Sequence, residues 1–140
     1  MFGIALPDVT GWPRPEMVLI LPGQVRMGMS EYSHLYRTEV RIEHSFALGK
    51  CPVTFAEWDA AVATGAKLPW QGAFDIRGWG RGRRPVICVR SVDAQADLAW
   101  LNDKLGLTGQ PDSYRLPSEA EREYACRAGS EGKWSFEPRI

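Results

Sequence analysis

Turn-forming residues place the strongest limit on how this chain folds, because it has 14 glycines and 10 prolines among its 140 residues. Proline has no amide proton to donate to a helix or sheet, and glycine weakens both elements in their interior. The six tryptophans are numerous for this length and supply large apolar side chains. The composition therefore predicts much irregular backbone that is held in place by aromatic anchors.

Charge and hydropathy exclude several classes of protein. The chain is 44% hydrophobic and 24% charged, as globular domains are. Its 17 basic residues balance 17 acidic ones, so no overall field attracts nucleic acid or an anionic membrane. The longest apolar runs, at 17–21 and 85–89, are far shorter than the ~20 residues that cross a bilayer. The N-terminus lacks the features of a signal peptide. We therefore expect no nucleic-acid partner, no membrane partner and a cytoplasmic location.

Three cysteines, Cys51, Cys88 and Cys126, give an odd number with no C-x-x-C pair. An odd number leaves one thiol unpaired in a monomer, and the spacing does not match a zinc site. Free cysteine usually behaves as a small buried apolar residue. We therefore expect all three side chains to be buried, in a protein of a reducing compartment.

Short apolar runs bounded by turn residues predict several strands. The runs at 17–21 and 24–27 flank Pro22 and Gly23 and are typical of a β-hairpin, with its first strand buried on both faces. Further short strands are predicted at 39–42, 46–48, 85–89 and 133–136.

Capping signals predict three helices. Thr54 and Glu57 have the spacing of a capping box, and Gly65 ends the first helix. Its expected apolar face consists of Phe55, Trp58 and Val62. The second helix runs from about Ser91 to Gly106. Its apolar stripe consists of Ala94, Leu98, Leu101 and Leu105.

The third helix carries the clearest signal, with Ser118 as N-cap, Glu121 completing a second capping box and Gly129 at its end. Because helices and strands do not alternate regularly along the chain, the pattern predicts an α+β domain rather than an α/β one. Residues 1–15 read as an extended lead-in that precedes the domain at 16–140.

A long loop at residues 65–85 is rich in glycine and arginine. Its exposed candidates for binding a partner are Trp79, Arg81, Arg83 and Arg84. The alternative is a solvated loop in which Trp79 serves only as an aromatic anchor. No phosphate-binding glycine loop and no Ser-His-Asp set is visible, so the residues alone indicate no catalytic, cofactor-binding or metal-ligating side chain.

Three groups of segments, in order, resemble the sulfatase-modifying-factor or formylglycine-generating-enzyme family. The first is EMVLILPGQVRMG at 16–28, and the second is FALGKCPVT at 46–54. The third joins RPVICV at 84–89 and DAQADLAWL at 93–101 to YRLPSEAEREYACRAG at 114–129. The last stretch is similar to the family pattern R-L-P-[ST]-E-A-E-W-E-Y-A-A-R-G-G and is long enough to be specific.

The resemblance implies an irregular, C-type-lectin-like α+β domain with little regular secondary structure. It also implies that residues 16–140 correspond to the N-terminal half of the family domain. The family oxidises a sulfatase cysteine to formylglycine with copper held by a cysteine pair. Its active-site cysteines and calcium ligands lie in the second half, so the resemblance assigns no catalytic residue, copper or calcium to this chain. Cys88 and Cys126 match family positions that commonly hold small residues.

Three functions follow as alternatives. The chain is a truncated, non-catalytic member of the family, or a half-enzyme whose activity needs a second chain that completes the domain. The third alternative is a lectin-like binding or scaffold module that contacts a protein partner through the 65–85 loop. The family resemblance by itself suggests an oxidoreductase.

Overall fold

The computed structural model describes residues 15–28, 37–67 and 78–130. The expected lead-in at 1–15 lies outside the described residues apart from Pro15. The strand predicted at 133–136 also lies outside them. So do residues 68–77 of the 65–85 loop.

Four short strands and three helices make up the regular structure of the described residues. In chain order they are β1 (Met17–Ile20), β2 (Gly23–Met27), β3 (Thr38–Ile42), β4 (Phe46–Gly49), α1 (Phe55–Ala63), α2 (Ser91–Leu105) and α3 (Glu119–Arg127). This confirms the predicted α+β class with little regular secondary structure, and all three predicted helices are present.

The strands form two pairs, neither of which is the predicted hairpin. β1 pairs with β4, and β2 pairs with β3 in an antiparallel register that sets Gly23 opposite Ile42 and Met27 opposite Thr38. The hairpin prediction fails because only Leu21 and Pro22 separate β1 from β2. Two-residue hairpin turns need positive φ angles, which proline cannot adopt and leucine rarely does.

The expected burial of the first strand is also wrong. Val18 is 41% exposed and Leu19 is 65% exposed. Helix α3 packs against β2 and β3 rather than against β1. An apolar run is therefore compatible with a strand whose side chains are exposed.

The described residues divide into two compact units. Unit 1 comprises residues 15–16, 49–67 and 78–116, and unit 2 comprises residues 17–28, 37–48 and 117–130.

The core of unit 1 lies where α1 meets α2. Trp58, Ala61 and Ala66 form a buried cluster. Partly buried side chains pack against it, namely Val86, Val89, Ala96 and Trp100. Phe55 is buried as predicted, but Val62 is 40% exposed, so the predicted apolar face of α1 is wrong at that position. The buried face runs through Ala61, whose small side chain lets neighbouring groups approach closely.

Side-chain caps begin both helices of unit 1. The Thr54 hydroxyl accepts from the Glu57 amide, and the Glu57 carboxylate accepts from the Thr54 amide, which confirms the predicted capping box. Asp93 lies in the first turn of α2, and its carboxylate, which is only 1% exposed, accepts from the Arg90 amide and guanidinium. Gly106 ends α2 in the left-handed conformation, as predicted.

The strand predicted at 85–89 is not formed. Pro85 makes an isolated bridge with Thr54, and the amide of Val86 donates to the carbonyl of Val53. Cys88 then has a φ of 58°, which ends the extended conformation. The left-handed backbone conformation of Cys88 leaves no mark on hydrophobic periodicity, and the apolar run alone predicts a strand.

The expected burial of the cysteines is wrong as well. Cys51, Cys88 and Cys126 are all exposed free thiols. Cys126 lies on α3 and is exposed. The general preference of free cysteine for the interior does not apply here, because each residue lies in a connecting segment or at an exposed helix position.

Candidate functional site

The 78–85 segment of the predicted binding loop is built around three glycines. Gly78, Gly80 and Gly82 have φ angles of 73°, 81° and 69°. Such left-handed conformations are disfavoured for residues with a Cβ atom, so alternating glycines allow a series of tight turns. The backbone of this segment therefore agrees with the predicted glycine-rich loop.

Arg81 anchors this segment to α1. Its guanidinium forms a two-pronged ion pair with Asp59, in which Nε lies 3.3 Å from Oδ2 and Nη2 contacts Oδ1. The same guanidinium lies 4.3 Å from the centroid of the Phe55 ring. The planar guanidinium suits both contacts, because it offers a fork of donors and a flat cationic face.

Backbone hydrogen bonds complete the attachment of the segment to α1. The amide of Phe55 donates to the carbonyl of Arg84, and the amide of Ala56 donates to that of Gly82, both at 2.9 Å. The first amides of a helix have no partner within the helix, so these carbonyls satisfy them. The segment therefore serves as part of the N-terminal cap of α1.

Among the four candidate residues, the structure separates one anchor from three surface side chains. Trp79 is 59% exposed, and Arg83 and Arg84 are also exposed. An exposed indole on the same segment as two exposed arginine side chains offers an apolar contact and two cationic donors to a partner. Asp59 and Phe55 were missed as partners of Arg81 because they are distant from it in sequence.

In unit 2, a three-residue clamp joins α3 to the end of β2. Glu123 Oε1 accepts from the Gly28 amide at 3.1 Å and from Arg127 Nε at 2.8 Å. Arg127 Nη2 donates to the Gly28 carbonyl at 3.0 Å. Burial raises the pKa of Glu123, but the hydrogen bonds from Arg127 and Gly28 outweigh it and leave the pKa below its usual value.

Tyr124 makes the next contact along α3. Its hydroxyl donates to the Leu21 carbonyl at 3.1 Å. A Cβ atom at Gly23 would lie 2.2 Å from that hydroxyl oxygen, so only glycine fits there without a shift. Together with the capping pair Ser118 and Glu121, these contacts engage several polar side chains of the family-like stretch at 114–129.

A cleft of about 230 Å³ lies beside this clamp in unit 2. It is lined by Gln24, Val25, Arg26, Arg37, Glu39, Tyr124, Arg127, Gly129 and Ser130. Three of these side chains are cationic and one is anionic, so the cleft is a polar groove.

Within residues 15–28, 37–67 and 78–130, no three His, Cys, Asp or Glu side chains are grouped in a way that could hold a metal ion. His44 is exposed, and His34 lies outside the described residues. No helix of the described part is long and apolar enough to cross a membrane.

Comparisons with known proteins agree with the family resemblance. The family model of the sulfatase-modifying factor enzyme 1-like domain matches residues 5–138. Among solved structures, PvdO from Pseudomonas aeruginosa is similar, with a TM-score of 0.72 and 30% identity. The match covers 89% of this chain and 52% of the PvdO chain, so the chain spans about half the length of that protein. No curated protein matches the chain. The formylglycine-generating-enzyme-like fold predicted from the sequence is thereby confirmed.

Proposed function

Because the chain belongs to the sulfatase-modifying factor enzyme 1-like domain family, we propose that these 140 residues supply the structural part of such a domain. In this proposal they do not by themselves oxidise a sulfatase cysteine to formylglycine. That activity requires a cysteine-bearing portion of the family domain to which nothing in this chain corresponds. The proposal also places the chain in the cytoplasm, which its three free thiols support.

The observation that carries this proposal is how the family-like stretch at 114–129 uses its polar side chains. Ser118 and Glu121 cap α3, and Glu123 and Arg127 clamp the helix to Gly28. A side chain that already satisfies a helix end or a neighbouring strand is positioned for stability rather than for a reacting substrate. The stretch that identifies the family thus has a structural explanation.

The metals of the family do not fit the residues of this chain. The resemblance places the copper-binding cysteine pair and the calcium ligands outside the segments matched here. Within the described ranges, the α3 residues Glu121 and Glu123 are committed to the cap and to the clamp. We therefore assign no copper or calcium ligand and derive no reaction step through either metal.

A formylglycine assay tests the proposal. The purified 140-residue chain is incubated with copper, a reductant, oxygen and a peptide that contains a sulfatase-type cysteine, and aldehyde is measured by mass spectrometry. A complete family enzyme serves as the positive control. We expect no aldehyde from the chain alone. Aldehyde that increases with the concentration of the chain would overturn the proposal.

A second candidate function is binding of a protein partner through the 78–85 segment. The observation in its favour is that Trp79 is 59% exposed on a segment that Arg81 fixes to α1. Rigid presentation of an exposed aromatic side chain lowers the entropy lost on binding.

Partner capture by the wild-type chain and by a Trp79→Ala/Arg83→Ala variant distinguishes this function from a purely structural one. Both substitutions lie on exposed side chains and leave the Arg81 anchor in place. If the segment binds a partner, we expect a partner that the wild type retains to be lost from the variant, with circular dichroism unchanged. Equal capture by both chains argues against this function.

A further inference from the structure

The cleft beside the α3 clamp brings together arginines from three places in unit 2. Arg26 lies on β2, Arg37 directly precedes β3, and Arg127 is the last residue of α3. All three line the same cleft of about 230 Å³. Arginine suits an oxyanion better than other cations do, because its guanidinium group offers a rigid fork of N–H donors.

The charges around this cleft leave an excess of positive charge. Glu39 stands opposite Arg26 in the β2–β3 register, and the Glu123 carboxylate accepts from Arg127 Nε. Three guanidinium groups of the cleft wall are therefore set against two carboxylates. A concave surface with excess positive charge attracts anions.

The Arg127 guanidinium is held in one orientation before any ligand arrives. Its Nε lies 2.8 Å from Glu123 Oε1, and its Nη2 lies 3.0 Å from the Gly28 carbonyl oxygen. Its side chain is only 16% exposed. A side chain that is already ordered loses little entropy on binding, so the clamp prepares this part of the wall for a ligand.

A buried hydroxyl group lies in the same wall. Ser130 lines the cleft, and its Oγ is buried without a hydrogen-bond partner in the described part of the chain. The Ser130 amide donates to the Arg127 carbonyl at 2.8 Å, which ties the backbone of Ser130 to the end of α3. A buried hydroxyl without a partner costs free energy, and a ligand oxygen that accepts its proton would recover that cost.

We propose that this cleft binds the phosphate group of a small molecule. A phosphate presents three or more strong acceptor oxygens in a tetrahedral arrangement, so donors on β2, next to β3 and at the end of α3 contact it from different sides. A carboxylate is planar and has two oxygens, so it matches fewer of these donors. All of the lining residues belong to unit 2.

Titrations followed by the backbone amide shifts of the native 140-residue chain test the proposal. Inorganic phosphate, phenyl phosphate and acetate are each added at constant ionic strength, which is maintained with sodium chloride. We expect saturable shifts with a phosphate, centred on residues 24–26, 37–39 and 127–130, and at least about tenfold weaker binding of acetate. The tighter of the two phosphates shows whether the site takes the free ion or an ester.

Variants separate the site from a general effect of charge. Arg37→Gln is expected to weaken phosphate binding about tenfold. Arg41→Gln removes the same charge from an exposed position of β3 outside the cleft, and it should weaken binding by about twofold or less. Arg26→Gln, at an exposed position of the cleft wall, gives a second test if circular dichroism shows that Arg37→Gln is unfolded.

Ser130→Ala distinguishes a ligand contact from a structural role. We expect about threefold weaker phosphate binding, with a melting temperature without phosphate no lower than that of the wild type, because the hydroxyl has no hydrogen bond to lose. The proposal is overturned if phosphate gives no saturable shifts at the cleft, if acetate binds as tightly, or if Arg41→Gln weakens binding as much as Arg37→Gln. It is also overturned if Ser130→Ala lowers the melting temperature and leaves binding unchanged. None of these results bears on the formylglycine assay, so the two proposals fail independently.

Discussion

At the scale of single residues, the Asp97 carboxyl on α2 is a partly buried acid whose pKa departs from its usual value. Burial raises its pKa to about 6, with a further contribution from the nearby charge of Glu57. Glu57 is itself held in the capping box of α1. A carboxyl whose folded pKa lies above its unfolded value binds its proton more tightly in the folded state. Its ionisation therefore opposes folding as the pH rises through about 6.

We predict that Asp97→Asn stabilises the chain at about pH 8 by about 1–2 kcal/mol, a value that allows for solvent screening. The advantage should decline as the pH falls through about 6, and it should vanish only below about pH 3, where the wild-type carboxyl is protonated in both the folded and the unfolded state. Urea denaturation of both chains across this pH range measures it. Asp103→Asn, at an exposed position of the same helix, is the control and should change stability by less than ~0.5 kcal/mol. A constant difference between Asp97→Asn and wild type at all pH values would contradict the assignment.

Gly23 gives a steric prediction at the same scale. A Cβ atom there would lie 2.2 Å from the Tyr124 hydroxyl oxygen and 3.0 Å from Cζ. We expect Gly23→Ala to destabilise the chain by about 1–3 kcal/mol, because a packed contact must shift. Tyr124→Phe removes the nearest atom, so Gly23→Ala should cost less in that background. Equal costs in both backgrounds, measured by denaturation, would show that Tyr124 does not limit this position.

At the scale of elements, local signals and long-range pairings differ in how well the sequence predicts them. The helix starts at Thr54 and Ser118 were predictable, because a capping box is complete within four residues. The β2–β3 pairing was not, because it joins segments on either side of residues 29–36 and no local pattern specifies which strands meet. The left-handed φ of Cys88 was likewise invisible to hydrophobic periodicity.

In the candidate site too, local features were predictable from the sequence and long-range contacts were not. The sequence located Trp79 and Arg83 on an exposed segment, and both side chains are exposed. It also assigned Arg81 to binding, whereas the structure commits that side chain to Asp59 and Phe55. An ion pair between residues of different elements has no signature in spacing, so only the structure could separate the anchor from the presented side chains.

The clamp between α3 and β2 gives a prediction for an element. Glu123→Gln replaces the charged acceptor of Arg127 by a neutral amide, and we expect it to cost about 1–2 kcal/mol at neutral pH. The pKa of Glu123 is lowered in the folded state, so its contribution is present above the unfolded pKa and is lost as the pH falls through the folded one. The variant and the wild type should therefore converge under acidic conditions. Glu119→Gln, an exposed position of α3, is the control. A Glu123→Gln cost that persists at low pH would argue against the ionic clamp.

At the scale of the whole molecule, the family model matches residues 5–138, which is nearly all of the chain. The same chain covers only 52% of the length of PvdO. Glu123 and Arg127, which lie in the stretch that identifies the family, hold α3 to Gly28. This stretch therefore acts as a structural clamp.

Hydrogen exchange on the 140-residue chain and on its Glu123→Gln variant tests that claim most directly. We predict slow exchange of the α2 and α3 amides in the wild type. In the variant, we predict faster exchange in α3 and β2 while α2, in the other unit, keeps its protection. Unprotected α3 amides in the wild type, or α3 protection that Glu123→Gln leaves unchanged, would contradict the account.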